Sequence, residues 1–413
     1  MFVHSRLLKA ISNMKGLGIF LQKRYFGVAL PFIINSLMMS TWLLYTPYIL
    51  DRLSITESSL GYAFFCMAIG AVSSLAISKK LIRQYGEGRY TFFSTLGYSL
   101  FIICAVIIPS LPILCLTLFF TGAFAGSMDV GMNALATYVE RKDKVRIMSA
   151  CHGFWSLGFF VGASIGSVLM SYLTHPFVHM FLIMCVAMIL HLYFCGPLRG
   201  EKSESVESEH QGGFSVLQNK KLINFAIIGL AVMMIEGAIM DWSTLYMSKQ
   251  VLAPEIWWGY ALGIFSLFMA IGRFMMDPIS DTYGSKVIVQ AGLVIVVFGV
   301  ILVLSGNLMP VLFGFGLIGF GVSGIVPEIY RLSSQVEGVE ASDGVATVAG
   351  MGYVGFLVGP LLMGYIVESF GYPAIFYAVF ILVVTAFVNS KFAFKYATLK
   401  ITEQSESAEV KHL

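Results

Sequence analysis

Long apolar runs, broken by short polar intervals, dominate the chain. Twelve runs stand out, at 25–49, 58–78, 91–110, 112–139, 148–173, 177–195, 222–246, 256–276, 285–304, 308–332, 345–367 and 373–389. Each is close to the roughly 20 residues that carry a helix across about 30 Å of hydrocarbon. The runs are continuous, without the period-two alternation of a membrane barrel of roughly 10-residue strands. The pattern predicts an all-α integral membrane protein of twelve transmembrane helices, with both termini on one side.

The polar breaks set orientation and domains. Lys and Arg concentrate on the cytoplasmic side of membrane proteins. With both termini cytoplasmic, the outer loops hold only Arg52 and Lys249 among 26 basic residues. Residues 1–24 carry Lys9, Lys15, Lys23 and Arg24 and read as a cytoplasmic tail or an interfacial helix. No small-residue cleavage site precedes the first run, so no signal peptide is expected. The interval 196–221, with GEKSESVESEHQGG, reads as a hydrated cytoplasmic linker between six-helix bundles at 25–195 and 222–389. A second cytoplasmic tail is expected at 390–413.

Composition agrees. Of 413 residues, 57% are hydrophobic and 12% charged, against about 25% charged in soluble proteins. A soluble globule could not hide that much apolar surface. A net charge of +3 gives no reason to expect nucleic acid. The six cysteines lie in apolar runs with no CxxC, so neither a disulfide framework nor a thiolate metal site is expected.

The two halves repeat. Gly61-Tyr62-Ala63 and Gly86 recur as Gly259-Tyr260-Ala261 and Gly284, 198 residues on. Gly158-Phe159-Phe160-Val161-Gly162 returns as Gly355-Phe356-Leu357-Val358-Gly359 at an offset of 197. Gly126 matches Gly324, and Trp42 matches Trp242. Two parallel six-helix repeats around a midplane site are an architecture of secondary transporters. Gly158, Gly162 and Gly166 form one smooth stripe, suited either to sliding or to static close packing.

Ionisable groups inside the runs are the functional candidates, because an acid at mid-membrane costs on the order of 2.5–3.5 kcal/mol. Asp129, with Asn133 one turn on, lies mid-span in the fourth run, and Glu236 mid-span in the seventh. These two are the expected proton carriers. Asp241 is either a cavity residue or an anchor near the outer interface. Glu328 and Arg331 either line the cavity or form an i,i+3 pair. His152 is either a relay or a packing histidine. Trp42 and Trp242 suit a solute ring or an interfacial aromatic belt. No metal is expected at His175 and His179. Neither HExxH, GxSxG nor a Walker sequence occurs, so no enzyme is expected.

Several of these stretches resemble the major facilitator superfamily. Its loop motif G-x3-D-R/K-x-G-x-R/K is partly matched by Asp277, Asp281, Gly284 and Lys286; the first copy, with Lys79, Arg83, Gly86 and Arg89, is degenerate. MDVGMNALATYVE (128–140), SACHGFWSLGFFVGA (149–163) and EGAIMDWSTLYM (236–247) are similar to a bacterial inner-membrane branch near the fucose-permease-like proteins. The resemblance implies that Asp281 faces the start of the fifth span near Ser149. Arg273 is placed to pair with Asp277 on the same helix face. Arg83 has the wrong sign for a helix start, so it or Lys80 is expected to pair with Glu340 or Asp343. The resemblance also implies acids in the first and fourth spans; here the first offers only Asn35. The expected function is alternating-access transport of a small polar organic solute, sugar-like and coupled to protons, across a bacterial inner membrane. The expected form is a monomer without cofactor. The alternatives are a proton-driven exporter of amphipathic compounds and a transport-dead sensor on the same fold.

Overall fold

The computed structural model describes residues 14–173, 175–202, 219–336, 339 and 341–409, with side chains except at 14–17, 149, 277–278, 281, 341–342 and 395–409. Among the described residues fourteen α-helices make twelve spans. The first half holds α1 (Lys23–Leu43) with α2 (Thr46–Leu53), α3 (Glu57–Tyr85), α4 (Glu87–Cys104), α5 (Leu111–Asp143), α6 (Met148–Tyr172) and α7 (Pro176–Phe194). The second holds α8 (Lys220–Leu245), α9 (Tyr260–Tyr283), α10 (Ser285–Leu304), α11 (Leu308–Val322) with α12 (Ile325–Ser333), α13 (Ala341–Phe370) and α14 (Ala374–Glu409). The face that carries the chain ends is called terminal below, and the opposite face distal.

Boundaries differ from the expected runs where backbone chemistry intervenes. The first span breaks at Leu44 and Tyr45, where Pro47 opens the short α2; proline suits a helix's first turn. The tenth breaks at Ser323 and Gly324, with Pro327 just beyond. The third runs Glu87–Cys104 rather than 91–110. It is the one span not apolar enough by composition to be recognised as membrane-crossing. Its buried face carries Tyr90, Thr91, Ser94, Thr95, Tyr98 and Ser99. Thr91, Ser94 and Thr95 return their hydroxyls to carbonyls four residues back, which makes hydroxyls tolerable in a helix interior. The last helix continues to Glu409, through the interval read as tail.

Glycine sets the packing within each half. A Cβ on Gly158 would come 2.9 Å from the Ile33 carbonyl oxygen, and one on Gly162 2.6 Å from that of Leu37. In the second copy Gly355 meets the Leu230 carbonyl at 2.5 Å, and Gly359 the Met234 side chain at 3.4 Å. Each partner, like each glycine, is displaced by 197 residues. The stripe therefore packs spans within a half and is not a sliding surface between halves. Gly86 and Gly284, which turn α3 into α4 and α9 into α10, have φ of +85° and +81° with the same ψ of 158°.

The halves meet along two helix pairs, α3 with α13 and α6 with α9. The duplication relates these pairs to one another. A Cβ at Gly61 would lie 2.5 Å from the Pro360 carbonyl oxygen, and one at Gly259 would overlap that of Ala163. Polar contacts close the distal face around them. Lys249 holds both oxygens of Asp51 at 2.6 and 2.7 Å. The Ser58 amide donates to Glu368 at 3.1 Å, and the Tyr372 hydroxyl donates to Glu57 at 2.9 Å. The Gly259 amide donates to Ser167 Oγ at 3.0 Å, and that hydroxyl donates to the Glu255 carbonyl at 3.2 Å. Along the terminal end of α3 lies a surface recess of ≈ 540 Å³, lined by Ala76, Lys79, Lys80, Arg83 and Gln84.

Candidate functional site

Asp129 sits mid-way along α5 with its residue surface exposed. Asn133 donates to its carboxylate at 3.2 Å and to its carbonyl at 2.8 Å. Its charge acts on Tyr353 of α13, in the opposite half. Tyr353 in turn acts electrostatically on Tyr330 of α12, as does Glu236 on α8. Glu236 is buried, 8% exposed. The charge of Arg273 on α9 acts on Glu236 and also on His152 of α6, across the half boundary. Electrostatic interactions thus link six side chains from six spans, from Asp129 through Tyr353, Tyr330, Glu236 and Arg273 to His152.

Arg273 alters the expected picture. Glu236 has no cation within two turns of it on its own helix, but the neighbouring helix supplies one. The expected partner of Arg273, Asp277, has a side chain outside the described residues, as have Asp281, Ser149 and Glu340. The start of α6, which Asp281 was expected to face, is held by Glu140: its Oε1 accepts from the Ile147 and Met148 amides at 2.6 and 2.8 Å. A carboxylate suits the positive end of a helix dipole. Lys286 and Arg83 are exposed, and Gly284 makes the terminal turn described above. Arg83 makes no ion pair with Asp343 among the described residues.

Asn35 is a fixed hub rather than a free cavity group. Trp155 Nε1 donates to its Oδ1 at 3.0 Å, Tyr98 donates to its carbonyl at 3.0 Å, and its Nδ2 lies 3.8 Å from Met128 Sδ. Trp42 and Trp242 are fully buried on either side of Phe64, with ring centroids at 5.8 and 6.2 Å. They plug the distal closure, and neither indole N–H finds an acceptor among the described residues. Asp241, 7% exposed, has no hydrogen-bond or ion-pair partner among the described residues. Glu328 and Arg331 do pair: Arg331 Nη2 reaches Oε1 at 2.5 Å and also contacts Oε2, Ser280 Oγ and, at 3.4 Å, Ser285 Oγ. That joins α12 to α9 and to the start of α10.

Four functional neighbours were not singled out in the sequence: Trp155, Tyr330, Tyr353 and Phe64. One left a signal, since Tyr330 stands 197 residues after Asn133, its counterpart in the repeat.

A glycine-seated, two-half helical body around an ionisable cleft defines a membrane transporter, not an enzyme. The family model for the Major Facilitator Superfamily matches residues 26–261 and 253–412. The chain belongs to that superfamily. It is 29% identical to an uncharacterized transporter, y4wD, of Sinorhizobium fredii, over 83% of this chain and 91% of the relative. It is 28% identical to the membrane protein MosC of Rhizobium meliloti, over 84% of each. An uncharacterized MFS-type transporter of Yersinia pestis shares 26% over 88% of this chain and 94% of its own. Among solved structures, a point mutant of the nucleoside transporter NupG superposes with a TM-score of 0.73 at 12% identity, covering 90% of this chain and 99% of NupG. That likeness concerns the fold alone.

Proposed function

We propose that the protein moves a small, polar, hydrogen-bonding organic solute through the bacterial inner membrane by alternating access, driven by protons and acting as a monomer. The carrying observation is Asp129: exposed midway along α5, hydrogen-bonded only to the neutral Asn133 among the described residues, with its charge acting on Tyr353 of the other half. An acid so placed can take a proton or a solute's donor group without first breaking an ion pair. Tyr330, Tyr353 and Trp155 add ring faces and hydroxyls suited to a sugar-like or flat polar cargo. Glu236, Arg273 and His152 supply charges that a passing proton can rearrange. A proton entering down the membrane potential brings about 2.3 kcal/mol per 100 mV. The Lys and Arg bias supports a cytoplasmic terminal face, which makes the captured state open toward the cytoplasm. NupG, described as a nucleoside transporter, is a precedent for polar organic cargo on this fold.

Reconstituted vesicles test the reading. A thermal-shift screen against metabolites first finds a ligand, because binding raises apparent stability by mass action. Adding that solute outside should then alkalinise the outer medium, and Asp129→Asn should abolish this signal while solute exchange persists. Solute flux by the unmodified protein with no proton movement overturns the coupling.

A further inference from the structure

Helices α3 and α5 run side by side in the same direction, and their glycines fix a register. Gly70 lies against the Phe119 carbonyl and Gly122 against that of Met67, where an added Cβ would overlap the oxygen. Gly70 and Phe119 are 49 residues apart, and so are Cys66 and Cys115. One turn toward the distal face on both helices therefore leads from the glycine contact to two facing cysteines. The Cys66 and Cys115 thiols interact side chain to side chain, and both residues are half-buried. Main-chain contact one turn away brings opposed Cα atoms toward the roughly 4.4–6.8 Å that a disulfide spans. The two lie in different apolar runs, so no spacing motif announces them.

The duplicate copy shows which way these positions point. Gly319, the counterpart of Gly122, sits on the carbonyl of Phe265, the counterpart of Met67. By the same offsets Cys66 corresponds to Ile264 and Cys115 to Leu312. Ile264 packs across the joint: a Cβ on Gly316 would lie 3.1 Å from its Cγ2. The first copy thus holds two thiols where the second holds aliphatic side chains, and packing alone does not call for sulfur. Cys195 differs: it is buried, and its thiol donates at 3.2 Å to the Gly27 carbonyl, which Pro31 leaves without a helical donor. We propose that Cys66 and Cys115 form an oxidation site, closing a disulfide between α3 and α5 by exchange with an external disulfide. One thiolate attacks that disulfide and expels one of its sulfurs; the second attacks the mixed disulfide and expels the other. Two cysteine thiols are oxidised, the external disulfide is reduced to two thiols, and the cysteine protons pass to the leaving sulfurs. The bond ties the helix that seats on α13 to the helix that carries Asp129. It lies within one half, so it stiffens that bundle and holds whether or not the transport reading does.

Dithiodipyridine, a small membrane-permeant aromatic disulfide, tests this on the full chain in native membranes. After reaction and non-reducing digestion, mass spectrometry should find the Cys66 peptide joined to the Cys115 peptide, two hydrogens lighter than the pair and without a pyridyl adduct. Cys66→Ser and Cys115→Ser should each abolish the joined peptide and leave an adduct on the remaining cysteine. The oxidised parent should melt higher in detergent than the reduced one, since a cross-link restrains the unfolded chain. Dithiothreitol should reverse that gain, and either serine variant should lack it. The proposal is overturned if Cys66 and Cys115 take separate adducts without joining, or if either joins another cysteine more readily. It is equally overturned if neither reacts in the folded protein while both react in the unfolded chain, or if joining them lowers the midpoint.

Discussion

Glu201 satisfies three elements at once. One carboxylate oxygen accepts from Arg24 of α1 at 2.5 Å, the other from Lys142 of α5 at 2.8 Å, and its carbonyl accepts from the Gly88 amide of α4 at 3.1 Å. Arg24 also binds Asp143 at 2.7 Å. Burial pushes the Glu201 carboxyl up, but the hydrogen bonds from Lys142 and Arg24, with the Arg24 charge, outweigh it and hold the group below the ordinary glutamate value. A lowered value stabilises the fold above the unfolded pKa of about 4.3, and the gain is lost as pH falls through the folded value. Solvent screening at this partly exposed site reduces the gain. Glu201→Gln should therefore lower the thermal midpoint at pH 7, with the gap to the parent closing in acid. Thermal unfolding in detergent across pH 3 to 7, an interval of about 4 units, reads this directly. The sequence placed this residue in a run of acids that looked like solvation, because its partners lie 177 and 59 positions away. Asp129 was legible for the opposite reason: a charge in an apolar run announces itself. The Asn35 hub was half legible. The amide was visible, whereas Trp155, which fixes it, looked like one aromatic among many.

Helices pack here through backbone more than through side chains. A Cβ on Gly122 would overlap the Met67 carbonyl oxygen, and one on Gly70 that of Phe119, so α3 and α5 touch main chain to main chain. Gly122→Ala should destabilise by about 1–3 kcal/mol, the cost of overpacking a filled site. Gly350→Ala, facing open space, should stay within about 0.5 kcal/mol of the parent. Thermal-shift midpoints of the two variants make the comparison. Element identity was easy to read because apolar length is a strong signal. Element ends were not, since a hydroxyl-rich buried face hid the start of α4 and backbone breaks at Leu44 and Gly324 leave an apolar run unbroken. Glycine repeats announced the duplication but not which neighbour each one meets.

Two halves held at one face and parted at the other make a body whose state depends on few bonds. Lys249 to Asp51 and Ser58 to Glu368 join the halves at exposed sites, so water and salt screen both and each holds the distal face weakly. Removing both with Lys249→Ala and Glu368→Ala should raise distal opening by about two- to tenfold. Maleimide labelling of Ser243→Cys, buried beside Trp242, measures that opening with the aromatic plug intact; an unchanged rate would mean that the plug alone keeps the face shut. The even span count and the two bundles were legible in advance. Which face is closed was not, because open and closed states share one sequence.

The seats of Gly61 on Pro360 and of Gly259 on Ala163 have a genetic consequence. In each, one partner must lack a side chain, while the other lends a carbonyl that every amino acid possesses. The lending positions are proline in one copy and alanine in the other. A survey of correlated substitutions among relatives would find an invariant residue facing an unconstrained one, and would overlook the very joints on which the two bundles meet.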